Sequence, residues 1–199
     1  MAALDTTSCL WYYGDPNSKE FQAKHMVLYV FPDWVAKIFP PYQHQAVRKQ
    51  WVNKDLITPL EAVFKELLET GLWKELKTFD GLWNIRNKRG LNELSIHSWA
   101  IALDLNALTN PLGGKVTFSQ AFLNVWRKHG FVCGADFGAG RSDGMHYQFD
   151  KVAKTAYAKH LASQVVSQTP PKPVAKVVPK KVEMKVPAPT SLPKTLPTK

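Results

Sequence analysis

The stretch SIHSWAIALDLN, residues 95–106, sets His97 and Asp104 seven positions apart among Ile96, Trp99, Ile101, Leu103 and Leu105. Charged groups are costly to bury without a partner. Two readings fit this pair: polar residues at a strand end, or two ligands of one metal ion. A second stretch, SDGMHYQF, adds Asp143 and His146 three residues apart, just before and inside a strand-like run. Two neutral imidazoles and one carboxylate suit a tetrahedral catalytic zinc, because three protein ligands leave the fourth position to water. Such an ion lowers the pKa of its water and polarises a carbonyl. Hydrolysis at a zinc site also needs a carboxylate that is not a ligand, to take and return a proton, and Asp143 suits that role. A nearby cation would steady a substrate carboxylate or a developing oxyanion, and Arg86 and Arg89 in NIRNKRG are both candidates.

Taken in order, S-x-H-x-x-[small]-x-A-x-D-x-N, a GF-x-x-G segment and D-x-x-H resemble the zinc D,D-carboxypeptidase and L-alanyl-D-glutamate endolysin family. That family includes the vancomycin-resistance peptidases and shares its fold with hedgehog signalling domains. The similarity runs from about Phe79 to Phe149. It implies Zn2+ held by His97, Asp104 and His146, with Asp143 as general base and Arg86 binding and polarising the substrate. It implies as well that Ser95 supports the ligand set from behind, and that Asn106 fixes the strand end rather than reacting. Three positions depart from the family pattern. Ala100 stands where glycine is usual, which matters only if the backbone there needs a positive φ. Cys133 replaces a common tryptophan, and the acid is Asp143 rather than the glutamate of the carboxypeptidases, which leans toward the phage endopeptidases.

The elements that must carry these residues read as α+β, a small antiparallel sheet with flanking helices around the zinc site. HMVLYVF, residues 25–31, reads as a strand. TPLEAVFKELLETG reads as a helix capped by Thr58, with Pro59 first, Glu61 completing a capping box, a stripe of Val63, Phe64, Leu67 and Leu68, and a stop at Gly71. TFDGLWNIR, LSIHSW and AIALDLN read as strands. A second helix is expected from Thr117, with Gln120 three residues on and Phe122, Val125 and Trp126 on one face. FVCGADF and MHYQF read as strands around the Gly-rich loop GAGRSDG, and a last helix follows Asp150, presenting Val152, Ala156, Tyr157, Leu161 and Val165.

The chain has 199 residues and a net charge of +10, but residues 169–199 carry seven Lys against one Glu and eight of the fourteen prolines. This leaves +4 for residues 1–168, read as the zinc peptidase domain with its motif core at 79–150. The tail reads as an extended basic segment that does not fold alone, suited to anionic wall or envelope polymers. Its lysines lie outside the folded part, and no specific nucleic-acid partner is expected. No apolar run is long enough for a transmembrane helix, and no signal peptide is visible. Cys9 and Cys133 are too few for a disulfide framework and read as reduced thiols.

His129 reads as a helix-terminal cation, and most of the tryptophans as core. Trp99, two residues after His97, is a candidate wall of the substrate cleft. The expected activity is that of a monomeric zinc peptidoglycan hydrolase, an L-alanyl-D-glutamate endopeptidase acting as a phage endolysin or virion-associated lysin. Such an enzyme would be made in the host cytoplasm and act on the wall or periplasm. The alternatives are a D-Ala-D-Ala carboxypeptidase, and a binding module with structural zinc and a polyanion-binding tail.

Overall fold

The computed structural model describes residues 3–138 and 140–168. The expected tail of residues 169–199 lies outside them. The architecture is α+β, as the interleaved pattern implies. Helices α1 (Ala3–Tyr13) and α2 (Lys19–His25) lead into strand β1 (Met26–Val30), short helix α3 (Asp33–Ala36) and strand β2 (Lys49–Asn53). β1 and β2 pair antiparallel as a separate two-stranded sheet.

Helix α4 (Lys54–Thr70) starts a turn earlier than its sequence suggests. Asn53, not Thr58, is the cap: its side chain accepts from the Asp55 N–H and donates to the Trp99 carbonyl. Asn53 is fully buried, so a cap that satisfies both ends of its amide prevails over the exposed Thr-Pro signal. Pro59 therefore lies inside the helix. Leu56, Leu60, Val63, Phe64 and Leu67 form the buried stripe, whereas Leu68 is exposed. Gly71 ends the helix in the left-handed conformation, φ 73°.

The second sheet positions the site. Its strands, β3 (Phe79–Gly81), β4 (Ala102–Leu105), β5 (Val132–Cys133) and β6 (His146–Gln148), lie antiparallel in the order β3-β4-β6-β5. Helix α5 (Gln120–Lys128) is capped by Ser119, whose hydroxyl accepts from Phe122, rather than by Thr117. Helix α6 (Lys151–Gln168) packs against α1.

Leu103, Leu105 and Tyr147 point to one face of the sheet and are fully buried. Trp126 of α5 packs on Tyr147 with ring centroids 4.4 Å apart, and Phe64 of α4 meets Trp126 edge-on. Cys9 and Cys133 are buried and free. Burial pushes the Cys133 thiol up to about 12, as befits a small apolar group rather than a nucleophile.

Candidate active site

The opposite face of the same sheet carries the polar residues. Alternation along a strand puts Asp104 there while Leu103 and Leu105 face the core. The register pairs Asp104 with His146, so the two side chains stand side by side on adjacent strands. Gln148, two residues after His146, falls on that face as well.

His97 arrives differently from the sequence expectation. LSIHSW is not a strand: Ile96–Trp99 is a single 3-10 turn closed by Ala100 at φ 53°. The chain then enters β4, and the His97 side chain meets that of Asp104. The position where the family usually has glycine thus does require a positive φ, and alanine occupies it with some strain. Asn106, also at positive φ, closes the far end of β4. Its carbonyl oxygen accepts from the N–H groups of Lys77 and Thr78, and its amide donates to Glu75. That is the positional role expected of it.

His97 Nε2, Asp104 Oδ1 and His146 Nδ1 form an equilateral triangle, 3.2 Å on each side. The outer nitrogens decide what this triangle is. His97 Nδ1 lies 2.7 Å from the Leu82 carbonyl, which can only accept, so that nitrogen carries the proton. His146 Nε2 lies 3.0 Å from Gln148 Oε1. The Gln148 amide cannot be reversed without loss, because its Nε2 donates to Asp150 Oδ2 at 2.6 Å and to Asp5 Oδ2 at 3.2 Å. His146 is therefore also protonated on its outer nitrogen. In the neutral tautomers, two imidazole lone pairs and a carboxylate oxygen converge with no proton between them.

Three acceptors at that spacing could hold a cation. A side of 3.2 Å is the edge of a tetrahedral face whose centre lies about 2.0 Å from each corner, the usual Zn–N and Zn–O bond length. The residues fit the ion the motifs imply. His97 and His146 are buried and Asp104 nearly so. Burial works against charge on Asp104, but the two imidazoles, when their inner nitrogens carry a proton, outweigh it and hold the carboxylate well below its ordinary range; a cation at the triangle would take the place of those protons.

Asp143 precedes β6. Its N–H donates to the Gly134 carbonyl at 2.8 Å, and its own carbonyl accepts from His146 N–H at 3.0 Å. One carboxylate oxygen, Oδ1, is buried without a hydrogen-bond partner among the described residues. Burial raises its pKa, the neighbouring His146 partly opposing the shift. Gly134 permits this arrangement: a Cβ there would lie 2.2 Å from the Asp143 carbonyl oxygen and 3.0 Å from the Cβ atoms of Asp143 and His146.

These residues open onto a cleft of about 550 Å³ lined by His97, Asp104, Asp143 and His146, with Arg86, Arg89 and Arg141 among its cations. The Arg86 backbone is stitched to the His97 turn: its carbonyl accepts from Ser95 N–H at 2.9 Å, and its N–H donates to the Ser98 hydroxyl. Ser95 thus supports the turn through its backbone and is among the residues that line the cleft. Arg86 itself is exposed, and of the two arginines it is Arg89 whose charge acts on the Asp143 carboxyl.

Trp99 is not a cleft wall. It is fully buried, and its indole N–H donates to the Gly14 carbonyl at 2.9 Å. The 3-10 turn, unlike the expected strand, points it into the core. His129 caps α5 and meets Glu66 at 2.8 Å, a structural role as expected. The residues that the motifs did not reveal are Gln148 and the Leu82 carbonyl, which fix the tautomers. A glutamine two positions from a candidate ligand on one strand face was the available signal for the first. A backbone carbonyl leaves none.

Residues 89–149 match the family model described as D-alanyl-D-alanine carboxypeptidase. The similarity to zinc D-Ala-D-Ala peptidases read from the motifs therefore holds over the segment that carries His97, Asp104, Asp143 and His146. No curated protein and no solved structure matches the chain. Leu82, Arg86 and Asp150, which the site also uses, lie outside the matched segment.

Proposed function

We propose that the chain is a zinc-dependent peptidoglycan peptidase that hydrolyses a stem-peptide bond, with L-Ala–D-Glu as the bond cut. The observation that carries this reading is the unprotonated triangle of His97, Asp104 and His146 beside the unpartnered Asp143 Oδ1. A structural metal site needs no spare buried carboxylate; a hydrolytic one does.

His97, Asp104 and His146 would hold the zinc. When bound, the ion supplies an acidified water and a Lewis acid toward the scissile carbonyl. Asp143 Oδ1 takes the water's proton and returns it to the leaving amine. Its burial and raised pKa suit it to do both, since a carboxylate with a raised pKa takes the proton more readily and holds it until the amine leaves. Arg86 binds and orients the substrate from the cleft wall, its backbone held by the same turn as His97. Gln148 and the Leu82 carbonyl keep both imidazole rings in the tautomer that ligation requires.

The aspartate in place of glutamate supports the endopeptidase. The description of the matching family favours a second reading, a D-Ala-D-Ala carboxypeptidase. We place the enzyme in phage lysis, made in the host cytoplasm and released to the wall, with the basic tail adding affinity for anionic polymers. Mass spectrometry of purified peptidoglycan after digestion tests the reading, with chelator and Asp143→Asn controls. New L-Ala C-termini and D-Glu N-termini, absent from both controls, are expected. Free D-Ala instead would move the assignment to the carboxypeptidase. No product from a protein with stoichiometric zinc would overturn the peptidase.

A further inference from the structure

The charges of the cleft do not cancel, and the excess has one chemical character. Five cations line it (Arg86, Lys88, Arg89, Arg141 and Lys154) with four carboxylates (Asp5, Asp104, Asp136 and Asp143). Most are already committed. Lys88 pairs with Glu93 at 3.1 Å. Lys154 pairs with Asp5 at 2.6 Å and Asp150 at 2.7 Å. Asp136 is held by two nitrogens of Arg127, and Asp104 faces the two imidazoles. Both lysines are thus neutralised, and three arginines remain against the one uncommitted carboxylate, Asp143, on which Arg89 acts.

Among the described residues, none of the three guanidinium groups has a carboxylate within 4.0 Å. The Arg86 guanidinium donates, among the described residues, only to the neighbouring Asn87 carbonyl. Arg89 and Arg141 come from two separate loops, one before the His97 turn and one before Asp143, yet both line the same cleft. Grouping like charges is unfavourable unless an anion joins them. Guanidinium forks match the planar geometry of carboxylates, and all three are exposed enough to receive one.

We infer that the cleft selects a peptide carrying a second free carboxylate beside the scissile bond, with Arg86 engaging the substrate at one point and Arg89 and Arg141 reading the second anion. The inference rests on the peptidase reading above and sharpens it. A D-glutamate joined to the next residue through its γ-carboxyl keeps its α-carboxylate free next to the L-Ala–D-Glu bond. A D-Ala-D-Ala terminus offers one carboxylate only. Amidation of that α-carboxylate would remove the charge the two arginines read, so a wall with amidated stems would resist the enzyme.

The test is isothermal titration of the zinc-loaded full chain with two synthetic product peptides, γ-D-Glu-L-Lys-D-Ala and its α-carboxamide. Neither contains the L-Ala–D-Glu bond, so binding is read without turnover. The wild type is expected to bind the carboxylate form at least tenfold more tightly. In the double variant Arg89→Gln, Arg141→Gln the preference should fall below threefold. Arg86→Gln should weaken both peptides alike and keep the preference. Equal binding of the two peptides by the wild type, binding of neither, or a tenfold preference that survives the double substitution would each overturn the inference. Failure to cut peptidoglycan while the arginine-dependent preference persists would instead count against the peptidase reading alone.

Discussion

Gly134→Ala offers a severe trial of the site's geometry, because the nearest atoms to the added methyl are the Asp143 carbonyl oxygen and the Cβ atoms of Asp143 and His146. Its Cβ would lie 2.2 Å from the Asp143 carbonyl oxygen and 3.0 Å from the Cβ atoms of Asp143 and His146. Side-chain carbons do not approach other atoms closer than 3.0 Å, so the two segments must part by at least 3.0 − 2.2 = 0.8 Å. The displaced atom is backbone and cannot swing aside. That same carbonyl accepts from His146 N–H, and Asp143 N–H donates to Gly134, so the shift is passed to both residues. Metal ligation tolerates displacements of about 0.2 Å, several times less than the clash demands. Overpacking of this kind costs about 1–3 kcal/mol of stability. The variant should fold with a lowered Tm and bind zinc at least a hundredfold more weakly. Competition with a chromophoric chelator, alongside thermal melting by circular dichroism, reads both. Gly138→Ala is the matched control, since a Cβ there meets nothing within 4 Å and should leave both measurements unchanged. Zinc affinity in Gly134→Ala equal to the wild type would refute the reasoning, for the close approach of the two segments would then not set the ligand positions.

Three further outcomes are expected. Gln148→Leu, which removes the acceptor that sets the His146 tautomer, should weaken zinc binding by about 10–100-fold with little change in fold, as chelator competition would show; unchanged affinity would mean that Gln148 has no positioning role. Asn106→Ala removes three side-chain hydrogen bonds and leaves two backbone N–H groups without their acceptor, so urea denaturation should show a loss of about 2–4 kcal/mol. Ala100→Val places a β-branched side chain at φ 53° in a fully buried position, and should destabilise by about 2 kcal/mol or more, read by the same denaturation.

The candidate ligand set was legible because each of these residue types is rare in an apolar setting, and His97, Asp104 and His146 stand out against leucines and isoleucines for that reason. The route by which His97 reaches the site was not. IHSW followed by AIALDL has the composition of a continuous strand, and a left-handed break at Ala100 gives no sign of itself when the residue is not glycine. Once that break is missed, Trp99 is placed on the wrong face, which is how a core indole became a candidate cleft wall. The cap of α4 was hidden in a similar way. Thr58-Pro59 carries every local mark of a helix start, but Asn53 lies between α4 and the Trp99 carbonyl, a contact 46 residues away that no local pattern contains. Short-range chemistry was readable; the long-range hydrogen bonds that override it were not.

The same distinction bears on how far the motif segment accounts for the site. His146 is oriented by Gln148, whose amide is held by Asp150 from the start of α6 and by Asp5 from α1. Lys154 ties those two carboxylates together, at 2.6 Å and 2.7 Å. Asp5 lies 84 residues before the first matched position and Lys154 five after the last, and each reaches the candidate zinc ligands through this chain of hydrogen bonds. A lone glutamine beside a histidine is free to present either its oxygen or its nitrogen. Two carboxylates behind it remove that freedom, because only the amide nitrogen can satisfy them. One lysine then offsets the charge that those carboxylates bring. The terminal helices are therefore part of the metal site's electrostatics as well as its packing: they fix one proton on one imidazole nitrogen, and the other nitrogen is left with the lone pair that a zinc ion requires.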